Sequence, residues 1–321
     1  MAYLGFDTSN YTTSVALYFP DENRIVHRKK LLPVKEGEKG LRQSDAVFHH
    51  TVQLSEITES LFDELKPQFD GVGASAFPRM AEGSYMPCFL VGLNTAKILS
   101  SSLGKKVKIT SHQNGHIVAA LYSSDCLHLL NERFIAFHVS GGTTEALLVE
   151  PDENEVIKCT LIATSLDLKA GQAIDRAGIM MGMRFPCGAE MDKLSRESDR
   201  SFGKIKVYSK DNDISLSGLE NKCEKMFRDG ESKADISKFC FHYICSALET
   251  MTDKILEEYG NLPILYSGGV MSNTLIKERL TKKYGGLFAT PEFSSDNAAG
   301  VAILTYLKEK INVNCFKGIT D

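Results

Sequence analysis

The stretch Phe134-Ile135-Ala136-Phe137-His138-Val139-Ser140-Gly141-Gly142-Thr143-Thr144-Glu145-Ala146-Leu147-Leu148-Val149 decides how the rest of the chain is read. A buried-strand run ends in a Ser-Gly-Gly turn, and an apolar return strand follows it. The start of the chain has the same plan. Ala2-Tyr3-Leu4-Gly5-Phe6-Asp7 is apolar, Thr8 to Thr13 is a polar turn, and Ser14-Val15-Ala16-Leu17-Tyr18 returns. A further Gly pair, Ser267-Gly268-Gly269, follows the short strand Ile264-Leu265-Tyr266. Glycine lets backbone N–H groups approach an anion with no Cβ in the way. One such turn is ordinary. Repeated at corresponding places, it predicts a duplicated α/β chain with a nucleotide cleft between two lobes. The expected lobes are 1–115 plus 295–321, and 116–294. Neither G-x-x-x-x-G-K-[ST] nor G-x-G-x-x-G occurs, so the phosphate turns are of neither of those kinds.

Outward from these turns, apolar residues at Val47, Leu54, Ile57, Leu61 and Leu65 predict an amphipathic helix over 44–65. A strand is expected at 72–76, a helix at 88–103, a strand at 107–109 and a helix from His112. A long helix is expected over 237–258, another from Asn273, and a last one from 296 to about 310. Residues 21–43 read as charged and irregular. Within them the run His27-Arg28-Lys29-Lys30 reads as a solvated face, as does Lys105-Lys106. His49 and His50 read as partly buried surface histidines on their helix.

The 321 residues, 43% of them hydrophobic and 24% charged, match about two soluble domains. No apolar run spans a bilayer, and Met1-Ala2-Tyr3-Leu4-Gly5 carries no signal-peptide core. The net charge of −4 excludes a protein that grips nucleic acid by a strongly basic surface of its own. Eight cysteines, including Cys240, Cys245 and Cys315, lack zinc-knuckle spacing. That predicts a reduced, cytoplasmic chain without disulfides.

His112-Gln113-Asn114-Gly115-His116 places two imidazoles at i and i+4, on one helix face and one turn apart, which suits two ligands of one metal. Asp296, in Ser294-Ser295-Asp296-Asn297, has two readings: a third, carboxylate ligand, or the N-cap of the last helix. Gln113 stands where H-E-x-x-H has its Glu, so a metallopeptidase would lack its general base.

Taken together, these segments resemble the TsaD family, which makes threonylcarbamoyladenosine in tRNA and was earlier known as O-sialoglycoprotein endopeptidase. The resemblance runs through Leu4-Gly5-Phe6-Asp7-Thr8-Ser9, His112/His116, Val139-Ser140-Gly141-Gly142-Thr143-Thr144 and Ala170-Gly171-Gln172-Ala173-Ile174-Asp175-Arg176. It continues through Phe185-Pro186-Cys187-Gly188, Ser215-Leu216-Ser217-Gly218-Leu219, Gly268-Gly269-Val270-Met271-Ser272-Asn273 and Ser295-Asp296-Asn297-Ala298-Ala299. It implies the actin/sugar-kinase-like (ASKHA) fold, with two RNase H-like lobes. It also implies that His112, His116 and Asp296 hold one iron or zinc ion facing the nucleotide phosphates. His138 stands where the archaeal branch has a metal-reaching tyrosine and is a further candidate ligand. Ser140, Gly141, Gly142, Asp175, Gly188, Asp192 and Asn273 would contact an adenine nucleotide (threonylcarbamoyl-AMP, ATP or AMP). Asp7, Ser9 and Asp175 are the catalytic candidates.

The implied reaction moves threonylcarbamoyl from its adenylate to the adenosine beside the anticodon. The implied partners are tRNA, partner subunits that help hold it, and a same-fold subunit in a dimer, with no membrane. Neutral residues replace several family acids. The family's E-T-S-C-D-E-T is Asp7-Thr8-Ser9-Asn10-Tyr11-Thr12-Thr13, its H-x-E-G-H has Asn114, and its G-E-A-F-D-K has Gln172. Thr143 replaces the histidine of S-G-G-H-T, and Phe77-Pro78-Arg79-Met80 replaces G-P-G-L. The alternative is therefore a divergent paralogue that binds metal and nucleotide and uses another acceptor, or serves only as a scaffold.

Overall fold

The computed structural model describes residues 1–9, 11–33 and 41–311. Asn10 of the opening motif and Cys315 lie outside the described residues. The chain divides into two compact units. The first comprises 1–132, 150–159 and 292–321; the second comprises 133–149 and 160–291.

The first unit is built on a five-stranded sheet in the order β3-β2-β1-β4-β5. Strands β1 (Ala2–Ser9) and β2 (Thr12–Phe19) form the expected hairpin, with a turn shorter than the sequence suggests. β3 is Arg24–Leu31, antiparallel to β2, so the segment read as irregular is an edge strand. Its run of cations hides the alternation, and charges are what sheet edges carry to resist pairing with another chain. Helix α1 (Gln43–Leu65) then leads to β4 (Phe69–Phe77), parallel to β1. Helix α2 (Phe89–Ser102), β5 (Lys108–Ser111) and α3 (His112–Ser123) complete this run.

Leu4 and Phe6 of β1 pack with Leu54, Ile57 and Leu61 of α1 and with Leu93 of α2. His50 is fully buried, its Nδ1 2.8 Å from Thr13 Oγ1, rather than at the surface. It is drawn inward because Thr13 bonds both it and Gln53, at 2.8 Å, from the next layer.

A second five-stranded sheet repeats the topology in the order β12-β11-β6-β7-β8. Here β6 (Phe134–Val139) pairs antiparallel with β7 (Thr144–Asp152), and β8 is Val156–Thr164. Helices α4 (Ala170–Met180) and α5 (Gly188–Ser195), a small ribbon of β9 (Ser209–Lys210) and β10 (Asp213–Ile214), and α6 (Ser217–Arg228) follow. None of these was legible as an element in the sequence. The long helix α7 (Lys233–Tyr259) buries Ile244, Leu248, Met251 and Ile255, the face that the periodicity marks. After it come β11 (Ile264–Ser267), parallel to β6, then α8 (Thr274–Tyr284), β12 (Leu287–Phe288) and the short α9 (Pro291–Ser294). The last helix, α10 (Ala299–Ile311), belongs to the first unit.

Candidate functional site

The geometry of the first site begins at Ser111, whose Oγ accepts the Asn114 N–H at 3.1 Å and caps α3. The cap starts the helix at His112, so His112 and His116 stack one turn apart with ring centroids 4.3 Å from each other. The third group arrives through two glycines. A Cβ on Gly300 would lie 1.9 Å from the Gly115 carbonyl oxygen, so only glycine lets α10 cross α3 between the two histidines. That crossing delivers the segment ahead of α10. Asn297 Oδ1 accepts the Ala299 N–H at 3.0 Å, so the capping role falls to Asn297 and not to Asp296. The Asp296 carboxylate lies 3.0 Å from His116 Nε2 and 3.6 Å from His112 Nε2.

Behind these groups, Asp7 at the end of β1 is 1% exposed and lies 2.8 Å from His112 Nδ1. Its other oxygen accepts the Ser9 N–H at 2.9 Å. The arrangement fixes the imidazole: Nδ1 donates to Asp7, and Nε2 is turned toward Asp296. A carboxylate behind a histidine is the usual support of a metal-ligating imidazole. Burial alone would lower the pKa of His112, but Asp7 and Asp296 more than offset it and hold the ring up to about 10. Burial likewise raises both carboxyls, and the histidines outweigh it, so Asp296 sits well below the usual carboxylate range and Asp7 is also lowered. The site is built to hold positive charge.

His112, His116 and Asp296 offer ligand atoms all within 4.8 Å of one another. Two imidazoles and one carboxylate are the donor chemistry of a divalent transition metal with open positions. His138 lies on β6 in the second unit, its Nδ1 3.3 Å from Ser267 Oγ. Ser9 Oγ is fully buried. Asn114, in the middle of the histidine motif, is also buried. Its Nδ2 donates to the Ile157 carbonyl at 3.0 Å, so it serves the core rather than the histidines.

The second unit carries a pocket of about 360 Å³. Gly141, Asp175, Gly188, Asp192 and Asn273 line it together, with Gly171, Ile174, Pro186, Gly269, Val270 and Ser272 among its other walls. Three local devices shape it. Ser140 Oγ accepts the N–H groups of Gly142 and Thr143, which tightens the Ser-Gly-Gly turn. A Cβ on Gly171 would lie 2.6 Å from Gly141 N, so glycine there seats the start of α4 on that turn. Gly268, at φ +96°, approaches the Val139 carbonyl where a Cβ would be 2.3 Å away. Around Gly141, Gly142, Gly188 and Gly269, by contrast, a Cβ would meet nothing within 4 Å. Their faces are open to a ligand.

Asp175 Oδ1 accepts the Cys187 N–H at 2.8 Å. Asn273 caps α8 through the Ile276 N–H and donates to Asp192, which also pairs with Arg196. The motifs marked Gly141, Asp175, Gly188 and Asn273. The apolar walls Ile174 and Val270 carry no chemical signal that sequence reading could use.

A family model described as "TsaD: tRNA N6-adenosine threonylcarbamoyltransferase" matches residues 29–303. The tRNA N6-adenosine threonylcarbamoyltransferase of Thermosipho africanus is 29% identical over 95% of this chain and 94% of its own. That of Ligilactobacillus salivarius is 28% identical over 97% and 92%. Among solved structures, full-length HypF aligns with a TM-score of 0.61 and 13% identity, over 98% of this chain and 56% of the longer protein. Component A of the Acidaminococcus fermentans (R)-2-hydroxyglutaryl-CoA dehydratase aligns at 0.55 and 14%, over 97% and 99%. The ROK hexokinase of Thermus thermophilus aligns at 0.52 and 15%, over 97% and 99%. At such identities these likenesses show the fold alone, and it is the actin/sugar-kinase-like one. Among the described residues, no helix is long and apolar enough to cross a membrane.

Proposed function

The chain belongs to the TsaD family, and from that premise we propose that it transfers threonylcarbamoyl from threonylcarbamoyl-AMP to the N6 amine of an adenosine in tRNA. The observation that carries the proposal is the His112–His116–Asp296 constellation with Asp7 seated behind His112. In the reaction, N6 attacks the carbamoyl carbonyl, a C–N bond forms and the bond to the AMP phosphate oxygen breaks. The amine loses its proton and AMP leaves.

His112, His116 and Asp296 would hold one divalent ion, iron or zinc. The ion, when bound, supplies Lewis-acid polarisation of a carbonyl or phosphoryl oxygen. Asp7 is a positioning residue, because its buried carboxylate fixes His112 and is closed off from a substrate. The Ser9 N–H in turn holds Asp7. The AMP moiety belongs in the pocket of the second unit. There the backbone of Gly141, open where a Cβ would meet nothing, favours a phosphate. Asp175, Asp192 and Asn273 suit the hydroxyls of a ribose.

With a net charge of −4, the chain has little field of its own to hold a polyanion at physiological salt, so a partner that supplies basic surface belongs to the proposal. A second reading, nucleotide and metal binding with another acceptor, is favoured by one observation. Asn114 stands where the family has an acid, and it is committed to the Ile157 carbonyl. Glutamate at 114 would bury a carboxylate against that oxygen, so reinstating the acid alone does not rebuild the family site. Incorporation of labelled threonine into tRNA, with partner subunits present, decides between the readings.

A further inference from the structure

The edge strand β3 runs beside the segment that carries Asp296, and alternate side chains of β3 serve different neighbours. Arg28 and Lys30 pair with Glu64 and Glu56 of α1. His27 and Lys29, on the other face as the period of two requires, reach 292–295. His27 Nε2 lies 2.7 Å from Glu292 Oε1, and its ring stacks on Phe293 with centroids 5.3 Å apart and planes at 11°. Tyr122 of α3 packs edge-on against the same Phe293. Lys29 Nζ donates to the Glu292 carbonyl at 2.8 Å and to Ser295 Oγ at 2.9 Å. From within the segment, Asn297 Nδ2 donates to the carbonyls of Phe293 and Ser295. The residue next to Asp296 is thus held from both sides.

We propose that His27 and Lys29 are positioning residues for the Asp296 carboxylate, so that β3 sets the affinity and ligand geometry of the cation centre. This rests on the reading of His112, His116 and Asp296 as metal ligands. The segment from 291 to 298 has only the short α9 as regular structure, and a ligand carried on so little needs outside support to keep its geometry. Outer supports of this kind are typically worth 10–100-fold in metal affinity. The sign of the effect separates positioning from simple charge. Lys29 is a cation close to a cation site, so if it acted only through its field, its removal would tighten metal binding. If it positions Asp296, its removal weakens binding.

The test is titration of the metal-free full chain with Co²⁺, followed by the visible absorption of the bound ion. Lys29→Met, and His27→Phe, which keeps the stack on Phe293, should each weaken Co²⁺ binding by about 3–10-fold and shift the absorption bands. The pair together should lose about 10–100-fold. Arg28→Met and Lys30→Met, on the α1 side of the same strand, should leave affinity and spectrum unchanged. Thermal unfolding of each metal-free variant shows whether it folds. If His27→Phe does not, Lys29→Met and Ser295→Ala carry the test. Lys29→Met binding as tightly as wild type, or tighter, overturns the proposal. Failure of the underlying reading looks different: Asp296→Ala would then bind Co²⁺ as well as wild type does.

Discussion

The two candidate sites are made in opposite ways. In the first unit every candidate group is a charged or ionisable side chain, gathered from three places along the chain: Asp7, the His112/His116 helix start and Asp296. They are backed by one another and largely buried. In the second unit the pocket walls are mostly glycine, backbone and apolar side chains, and several glycines face open space. On the proposed reading, the first arrangement would hold one small cation through a few strong contacts, so each contact would be costly to lose. The second would accommodate a larger molecule through many weak contacts, so single changes should be tolerated better.

The contrast is sharpest for the ligands themselves. His112→Ala with His116→Ala should abolish metal retention, measured by elemental analysis after purification without chelator, and leave nucleotide affinity within about twofold. Loss of both would show that the sites are not separable. Next comes the glycine crossing. Gly300→Val puts a side chain into the Gly115 carbonyl and should cost about 3 kcal/mol or more in denaturant unfolding. Gly142→Ala, in open space, should cost under about 0.5 kcal/mol.

Asp7→Asn removes the charge behind His112 and should weaken metal binding by about 10–100-fold, with nucleotide titrations unmoved. The pH dependence follows from the same pair of carboxylates. In the metal-free chain His112 holds its proton up to about 10, and a metal must expel that proton to bind. Metal affinity should therefore climb by about tenfold per pH unit from pH 7 and flatten near 10, since one proton is released. A flat profile would remove His112 from the ligand set. The smallest change expected in ligand binding is in the pocket: Gly141→Val should weaken AMP or ATP binding by about tenfold in calorimetry by covering the backbone there. Full-strength binding would place the phosphate elsewhere.

The difference between the sites also explains what the sequence reveals. His112 and His116 are legible because their spacing is local to one helix, and the Ser140-Gly141-Gly142 turn because it abuts an apolar run. The role of Asp7 is not legible, since its partner lies on a strand-to-helix junction that only sheet order places beside it. The same holds for the fit of Gly300 against Gly115, which depends on how two distant helices cross. β3 escapes notice for a third reason: the charges that protect a sheet edge also erase the alternation by which a strand is recognised. The sequence leaves Asp296 two readings, and the cap made by the neighbouring Asn297 removes one of them, the N-cap.

On the proposed function, the His112–His116–Asp296 centre serves transfer to tRNA. The direct measurement is incorporation of labelled threonine into tRNA by the full chain, with partner subunits and threonylcarbamoyl-AMP supplied, for wild type and for Asp296→Ala. Labelling by wild type, and background labelling by a variant that still binds AMP, is the result expected. Equal labelling by the two, or none by wild type while another family member labels the same tRNA, would contradict it.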